Sequence, residues 1–183
     1  MIRLFVAIDL PDAVRDRLAA LAGGIPGARW LEPESYHVTL HFIGEVPEDT
    51  AEEIHAALEA VRAPGVTLAI GGVGSFSQGH RVHSLYAGVD RSPPLLHLHD
   101  RIQRAVTQVC PATDGRRFTP HVTLARLKGA TPSRVQDFLA ANAPFRLEPF
   151  PVARFTLFSS HLGRGGASYV AEAEYPLDAV TPP

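Results

Sequence analysis

The chain has 183 residues, 45% of them hydrophobic and 20% charged, and its formal net charge at pH 7 is −2. These values are typical of a globular protein. They exclude the large basic surface with which proteins coat duplex nucleic acid, but leave room for a pocket that grips one phosphate. A single cysteine, Cys110, excludes an internal disulfide and a thiolate zinc site.

The N-terminal segment, Met1 to Asp9, is an apolar run too short for a signal peptide or a membrane span. We therefore expect a cytoplasmic protein without a membrane partner. Hydrophobic periodicity and the proline and glycine breaks define the elements of the first half. In chain order they are a strand at 3–9, a helix at 11–21, a loop at 30–35, a strand at 36–43, a helix at 47–61, and antiparallel strands at 66–73 and 82–90 around a loop at 74–81.

The second half repeats the order helix, strand, helix and strand pair. Its predicted elements are a helix at 93–109, a strand at 121–127, a helix at 132–141, strands at 145–158 and 168–175 around a glycine-rich turn at 162–166, and a tail from 176. The repeated order indicates an internal duplication, with a pseudo-two-fold axis relating halves of about 1–90 and 91–183. We expect one bilobal α+β domain over residues 1–183.

The tetrapeptide His-Val-Thr-Leu occurs once in each half, at residues 37–40 and 121–124, a spacing of 121 − 37 = 84 residues. Each copy alternates polar and apolar residues, as a half-buried strand does. On such a strand His and Thr share one face, and Val and Leu share the other. A duplicated pair of lobes places the two motif strands across a central cleft, where ligands commonly bind.

The paired motifs suit chemistry on a phosphate. His37 and His121, held across a cleft, are sufficient for general acid–base catalysis without a metal. Thr39 and Thr123 share their faces, and their hydroxyls suit the non-bridging oxygens of a phosphate. Because the motifs are symmetric, the sequence leaves open which histidine is the acid. Arg126 has the parity of the apolar face: it either bends back into the cleft to bind phosphate or forms a salt bridge at the strand end.

Other residues near the motifs are candidates for substrate contacts. His41 shares the strand parity of the first motif and is predicted at the rim of the cleft. Trp30, Tyr36 and Phe76 are aromatic residues that can stack on a terminal base, although the parity of Tyr36 favours the core. Arg164, in the glycine-rich turn, either contacts a nucleic-acid backbone or is simply exposed.

A metallohydrolase is a further alternative, built on four histidines: His80, His83, His97 and His99. Two of these are only two positions apart on a predicted helix, however, and so point in different directions. The glycine-rich stretch at 71–74 lacks the third glycine and the helix of a dinucleotide site. No P-loop or serine-nucleophile motif occurs either. We expect no metal and no cofactor.

With one H-x-T-x motif in each half, the sequence resembles the 2H phosphoesterases. Within them it is similar to the bacterial and archaeal RNA 2′,3′-cyclic phosphodiesterases, also called 2′-5′ RNA ligases. The similar segments keep their order and span nearly the whole chain: 3–10, 30–44, 118–126 and 165–177. His41 stands where this family commonly has a basic residue, often lysine, just after the first motif.

This resemblance implies a bilobal fold in which each lobe is a mainly antiparallel sheet with outer helices, around a V-shaped cleft. It also implies metal-independent hydrolysis of RNA 2′,3′-cyclic phosphate ends to 2′-phosphomonoesters. In that reaction His37 is the proton donor and His121 the proton acceptor, and its reversal forms a 2′-5′ linkage. We expect a monomeric enzyme whose partner is an RNA or oligonucleotide with a 2′,3′-cyclic phosphate terminus. The alternative is a non-catalytic module that binds RNA ends in the same cleft.

Overall fold

The computed structural model describes residues 1–112 and 115–179. The strands within these ranges are β1 (Ile2–Asp9), β2 (Arg29–Trp30), β3 (His37–Val46), β4 (Val66–Leu68), β5 (Ile70–Gln78), β6 (Arg81–Val89), β7 (His121–Arg126), β8 (Phe150–Val152), β9 (Arg154–Gly163) and β10 (Gly166–Pro176). The helices are α1 (Asp12–Ala19), α2 (Glu48–Glu59), α3 (Pro93–Val109) and α4 (Pro132–Asn142), with a short 3-10 helix at Pro33–Ser35.

The molecule is built on two antiparallel sheets of four strands each. The first sheet has the order β10-β9-β1-β3, and the second has the order β2-β7-β6-β5. Helices α2 and α3 pack against each other and against the first sheet, and α4 packs against β5 of the second. This α+β architecture of antiparallel sheets with outer helices confirms the fold class predicted from the sequence.

The two halves of the chain exchange their strand pairs. The hairpin β9–β10, from the second half, extends the sheet that holds the first motif strand, β3. The hairpin β5–β6, from the first half, extends the sheet of the second motif strand, β7. The short strands that precede the hairpins, β4 and β8, pair with each other. The predicted order of elements is therefore repeated, but a boundary near residue 90 does not separate the two sheets.

Helix α3 shows how the sequence directs the core. Ser92 caps its N-terminus by accepting a hydrogen bond from the backbone N–H of Leu95, and Pro93 lies in the first turn, where no intrahelical donor is lost. Its buried residues recur at helical spacing: Leu95, Leu98, Ile102 and Val106. Burial of each such side chain stabilises the fold by about 1.5–3 kcal/mol. This row belongs to the main core, beside the first sheet.

A smaller core lies under the second sheet, where Val135 and Phe138 of α4 pack with Leu85 and Ala125. It anchors the strand that carries the second motif. No helix in the described ranges has the length and apolar character needed to span a membrane.

Three connecting segments are more ordered than the sequence predicts. The predicted loop at 74–81 is mostly strand, since β5 continues to Gln78 before a tight turn at Gly79, where φ is +61°. The predicted loop at 30–35 contains the last residue of β2 and the 3-10 helix. The predicted tail from 176 is docked, because Leu177 is buried and its N–H donates to the Ala153 carbonyl; only 180–183 lie outside the described residues. Long-range pairing, which local patterns do not reveal, orders all three.

Candidate active site

Both motif strands direct their His and Thr side chains into one cleft between the two sheets. The cleft has a volume of about 690 Å³ and is lined by His37 and Thr39 of β3 and by His121 and Thr123 of β7. The apolar residues of the two motifs are buried: Val38, Leu40, Val122 and Leu124. The alternation of the two tetrapeptides therefore brings the four polar side chains together, as predicted.

Each histidine is held by the same backbone contact. His37 Nδ1 lies 2.8 Å from the Ser35 carbonyl oxygen, and His121 Nδ1 lies 2.6 Å from the Thr119 carbonyl oxygen. Because a carbonyl oxygen only accepts, each Nδ1 carries a hydrogen and donates it. The proton that each ring can gain or lose is therefore the one on Nε2.

Aromatic rings surround the His37 imidazole. Its ring centroid lies 5.2 Å from that of Tyr169, in an edge-on arrangement, and 6.3 Å from that of Phe158. The ring of Phe5, on β1, lies 5.0 Å away. Tyr169 and Phe158 belong to the hairpin β9–β10, so a strand pair from the second half builds the environment of the first histidine.

The His121 imidazole has a matching aromatic environment. Its ring centroid lies 4.8 Å from that of Phe76, again edge-on, and 5.4 Å from that of Tyr86. These residues belong to the hairpin β5–β6 of the first half. In both environments the first strand of the hairpin supplies a phenylalanine and the second a tyrosine.

Burial lowers the pKa of both histidines. The pKa of His37 falls to about 4 because the surrounding protein disfavours the charged ring, although the Ser35 carbonyl and the Asp9 carboxylate oppose this effect. Burial also lowers the pKa of His121, against its own backbone hydrogen bond, and the Arg126 guanidinium lowers it further. Both rings are therefore mainly neutral at pH 7 unless an anion beside them favours the proton.

The strand partners of the two histidines differ in charge. Asp9 stands directly opposite His37 in the β1–β3 pairing, and its carboxylate forms an ion pair with Arg15. Gly88 stands opposite His121 in the β6–β7 pairing. A carboxylate therefore favours the protonated form of His37, and the equivalent strand position beside His121 has no side chain to do so.

A β-bulge follows the first motif. Ala7 faces Thr39 and the preceding β1 residue, Val6, faces His41, which leaves Leu40 as the extra residue of β3. Because residues directly opposite each other share a face, His41 lies on the face of the core residue Val6. It borders the cleft but is only 4% exposed. The bulge thus reverses the alternation that the sequence predicts: His41 faces the core, and Phe42 takes the exposed position.

The second motif has the same bulge. Thr123 and Ala125 face consecutive residues of β6, which leaves Leu124 as the extra residue of β7. The bulge turns Arg126 to the cleft face, opposite Ser84. Of the two alternatives for Arg126, a cleft residue and a strand-end salt bridge, the structure therefore places it in the cleft.

The lining of the cleft is cationic, although the chain as a whole has a net charge of −2. Its described lining contains no aspartate or glutamate and four arginines: Arg3, Arg116, Arg117 and Arg126. On the same lining, Ser84 is 1% exposed, and its Oγ has no hydrogen-bond partner among the described residues. Such a surface favours an anion that also accepts hydrogen bonds.

The predicted aromatic contacts divide between the cleft and the core. Phe76 lines the cleft, as expected for a substrate contact. Trp30 does not lie in the cleft lining, where the expected stacking role would require it: its ring packs 5.5 Å from that of Phe138, and its side chain contacts both the main core and the smaller core. Tyr36 is 2% exposed in the main core, as its parity predicted. Arg164 is exposed at the turn between β9 and β10, outside the lining.

The four histidines of the metallohydrolase alternative do not form a cluster. His83 and His99 line the cleft, and the His99 ring is stacked 4.1 Å from that of Phe118. His80 lies in the turn before β6, and His97 lies on α3. Among the described residues, no group of three or more histidine, cysteine, aspartate or glutamate side chains is arranged to hold a metal ion.

Sequence reasoning missed three residues of the cleft lining, Phe42, Ser84 and Tyr169, and two rings that contact the histidines, Tyr86 and Phe158. All five lie on strands, and their alternation was visible in the sequence. The missing information was which hairpin joins which sheet and where the bulges reverse the parity of a strand. A search for aromatic residues at matching places in the two hairpins would have found four of the rings around the histidines.

Comparison with known proteins adds independent information. The family model described as the 2′-5′ RNA ligase superfamily matches residues 10–164. An RNA 2′,3′-cyclic phosphodiesterase of Aeropyrum pernix is 36% identical over 118 residues, which are 64% of this chain and 65% of that protein, slightly less than two thirds of its length. A protein of the same name from Archaeoglobus fulgidus is 28% identical over 170 residues, 91% of this chain and 96% of that protein.

Solved structures show the same fold over almost the whole chain. A Thermus thermophilus protein has a TM-score of 0.82 at 25% identity and covers 97% of this chain and 98% of its own. Escherichia coli LigT, in its complex with 3′-AMP, has a TM-score of 0.79 at 25% identity, with 96% and 98% covered. The complex of the same protein with phosphate has a TM-score of 0.74, also at 25% identity, with 97% of this chain and 98% of that one covered.

Proposed function

The chain belongs to the 2′-5′ RNA ligase superfamily, and from that membership we propose that it hydrolyses RNA 2′,3′-cyclic phosphate ends to 2′-phosphomonoesters. The observation that carries the proposal is the pair of Nδ1-anchored imidazoles, His37 and His121, on the two motif strands of one cationic cleft. The relatives from Aeropyrum pernix and Archaeoglobus fulgidus, each named an RNA 2′,3′-cyclic phosphodiesterase, support the substrate class.

The reaction is a displacement at phosphorus, with base and acid on opposite sides. Nε2 of His121 takes a proton from water, and the water oxygen forms a bond to phosphorus. The bond from phosphorus to the 3′ oxygen breaks, and Nε2 of His37 gives its proton to that oxygen. The product carries a 2′-phosphate and a 3′-hydroxyl, and the two histidines have exchanged protonation states. Their positions in different sheets suit this opposed geometry.

The charges around the histidines support this division of roles. Asp9 favours the protonated form of His37, as an acid requires, whereas Gly88, opposite His121, has no carboxylate to do so. The Arg126 guanidinium lowers the pKa of both histidines and so does not distinguish them. Burial keeps both rings neutral in the free protein, so the acid becomes charged when the phosphate anion enters. The bound phosphate then raises the pKa of the neighbouring imidazole.

The hydroxyls of Thr39 and Thr123 donate to the non-bridging phosphate oxygens, and Arg126 pairs with their charge. The motif threonines thus stabilise the charge that develops in the transition state. No residue in this scheme needs a metal or an organic cofactor. Reversal of the same steps joins a 5′-hydroxyl to the cyclic phosphate in a 2′-5′ linkage, although the high concentration of water favours hydrolysis.

The test is incubation of the protein with an oligonucleotide that ends in a 2′,3′-cyclic phosphate, followed by identification of the product isomer. The proposal predicts a 2′-phosphomonoester, formed at the same rate with and without EDTA. A 3′-phosphomonoester would contradict the assignment of the leaving oxygen. Complete loss of turnover in EDTA would contradict the metal-independent mechanism.

The cationic lining also fits a second function, a non-catalytic module that binds RNA ends. Replacement of His37 by alanine separates the two functions. A binding module keeps its affinity and shows no turnover in either form, whereas an enzyme loses turnover. The matched control is His80→Ala, because His80 is an exposed histidine outside the cleft lining.

A further inference from the structure

Two arginines of the second sheet lie next to each other with no carboxylate beside them. In the β2–β7 pairing Arg29 stands directly opposite Arg126, so both side chains leave the sheet on the same face, which for Arg126 is the cleft face. Like charges that stand directly opposite each other destabilise a sheet. Neither arginine forms an ion pair with another described residue. The pair therefore favours an anion at its end of the cleft.

The row of side chains that contains this pair continues on the next strand. Ser84 of β6 stands opposite Arg126 on its other side and lines the cleft. It is buried, and its Oγ has no hydrogen-bond partner in the described part of the chain. A buried polar group without a partner destabilises a folded protein, so its presence in a cleft lining indicates that the ligand is polar at this row.

Arg29 is held at the mouth of the cleft by the hairpin of the opposite sheet. Its Nη2 donates a hydrogen bond of 2.6 Å to the Gly165 carbonyl, in the turn between β9 and β10. Residues on both sides of this turn, Leu162 and Ala167, line the cleft. A side chain at Gly166 would collide with the guanidinium, so a glycine there permits the close approach. Because Arg29 is exposed and a guanidinium has five N–H donors, it can bind a ligand while it keeps this contact.

The distance from the motif threonine to this row matches one nucleotide. On β6, Tyr86 pairs with Thr123 and Ser84 pairs with Arg126, so the two rows are two residues apart. Two residues of a strand span about 7 Å, which is close to the separation of successive phosphates along an RNA strand. A cyclic phosphate held by the motif threonines therefore has the preceding phosphodiester, on the 5′ side of the terminal nucleotide, within reach of the two arginines.

The charges assign the two arginines to different phosphates. In the proposed reaction Arg126 pairs with the reacting phosphate, so Arg29 is the cation that remains for a second anion. We propose that Arg29, beside Arg126, binds the phosphodiester that precedes the terminal nucleotide. The cleft then recognises the end of an RNA chain in preference to a mononucleotide. This inference rests on the proposed function, whose substrate class it narrows.

The test compares two dinucleotides with a 2′,3′-cyclic phosphate that differ only in the linkage between their nucleosides. One has the natural phosphodiester, and the other has a methylphosphonate, which is similar in shape but uncharged. The ratio of kcat/KM for the charged and the uncharged substrate measures what the charge contributes, and it exceeds one in the wild type. Arg29→Gln lowers this ratio by about 2- to 10-fold, the range expected for an exposed charged pair. The loss shrinks at high salt, which screens the charge.

Two further variants separate the charge of Arg29 from its other contacts. Arg29→Lys keeps the charge and therefore keeps most of the ratio. Arg29→Gln itself retains an amide that can donate to the Gly165 carbonyl, so its effect reports the charge and not the contact between the sheets. The matched control is Arg104→Gln, which removes an exposed arginine of α3 outside the cleft lining and leaves the ratio unchanged.

A ratio of one in the wild type overturns the phosphodiester site, and so does an unchanged ratio in Arg29→Gln. An equal loss on both substrates also overturns it, because Arg29 then acts without regard to the charge of the linkage. A binding measurement separates these failures from failure of the proposed function. Titration with the same two dinucleotides, ending in a 2′-phosphate instead of the cyclic phosphate, reports the charge contribution without turnover. If the wild type turns over neither cyclic substrate, the proposed function fails. The phosphodiester site then stands only if Arg29→Gln removes a preference for the charged linkage, and it falls if the preference persists or is absent.

Discussion

The two motif strands have the same tetrapeptide but different surroundings. Both place a bulge at the leucine, and both hold Nδ1 of the histidine with the carbonyl two residues before it. They differ in the residue that the bulge turns to the cleft, which is Phe42 on β3 and Arg126 on β7. Each motif thus leaves Nε2 as the ring nitrogen that can gain or lose a proton, and the residues beside the two rings differ in charge.

The difference begins with strand order. The first motif strand, β3, is at the edge of its sheet and pairs with β1, whereas β7 lies inside its sheet between β2 and β6. As a result Asp9, at the end of β1, stands opposite His37, and Gly88 stands opposite His121. The proposed division into an acid and a base thus follows from the pairing of the two motif strands with unlike strands.

Removal of either imidazole is expected to have the largest effect on activity. His37→Ala and His121→Ala each lower kcat/KM for a cyclic phosphate by about 10² to 10⁴, the usual contribution of one proton-transfer group. Because the two residues act as a unit, the double variant loses much less than the product of the single losses. Steady-state kinetics on the three variants measures this. A single variant with wild-type activity would show that the two copies do not form one site.

Arg126→Gln removes the guanidinium that β7, the second motif strand, directs into the cleft. Loss of a charged hydrogen-bond donor to phosphate lowers kcat/KM by about 10- to 100-fold. The guanidinium lowers the pKa of both His37 and His121, so its removal raises both pKa values. The bell-shaped pH profile of kcat/KM, which reports the free enzyme, therefore moves to higher pH on both limbs. A profile of unchanged position at reduced height would contradict the electrostatic role of Arg126.

The burial of His37 predicts a dependence of stability on pH. Its pKa is about 4 in the folded protein against 6.5 ordinarily, so the unfolded chain binds more protons between these values. With respect to His37, the free energy of unfolding therefore has its full value above pH 6.5, and it decreases as the pH falls toward 4. His37→Gln, which does not titrate, therefore loses less stability over this window than the wild type. Urea unfolding at a series of pH values measures the difference, and parallel curves would contradict the burial of the ring.

Ser84→Ala is expected to have the smallest effect on stability. The Ser84 hydroxyl is buried opposite Arg126 without a hydrogen-bond partner among the described residues. Its removal therefore leaves the thermal midpoint unchanged or slightly higher. The matched control is Ser159→Ala, since Ser159 is equally buried but donates to Glu172, and its loss lowers the midpoint. Equal losses of stability in the two variants would show that Ser84 has a structural partner.

Much of the site could be predicted because the alternation of side chains between the two faces of a strand is set within a few residues. The faces of His37, Thr39, His121 and Thr123 follow from alternation alone, and the structure brings the four side chains together. Alternation fails one residue past each motif, because a bulge depends on the pairing with a neighbouring strand. For that reason the sequence left the direction of Arg126 open, although its neighbours were clear.

Local sequence patterns also could not predict the exchange of hairpins, because it too depends on pairing between strands that are distant in the sequence. The predicted strands around 145–158 and 168–175 exist as β9 and β10, yet their aromatic residues surround a histidine from the other half. Trp30 is the opposite case: it is close in sequence to the first motif, but its ring packs beside Phe138 of α4, under the second sheet. Local sequence patterns thus predicted the elements well, but they did not predict which strands pair or which core a side chain joins.

The central claim is that two equally anchored imidazoles have different roles, with His37 protonating the leaving 3′ oxygen. The most direct test is kcat/KM for a cyclic phosphate in which sulfur replaces that oxygen. A thiolate leaves without a proton far more readily than an alkoxide, since thiols ionise near pH 8.5. We predict that this substrate restores most of the activity lost in His37→Ala but none of that lost in His121→Ala. Equal losses of both variants on the sulfur substrate would contradict the assignment of His37 as the acid.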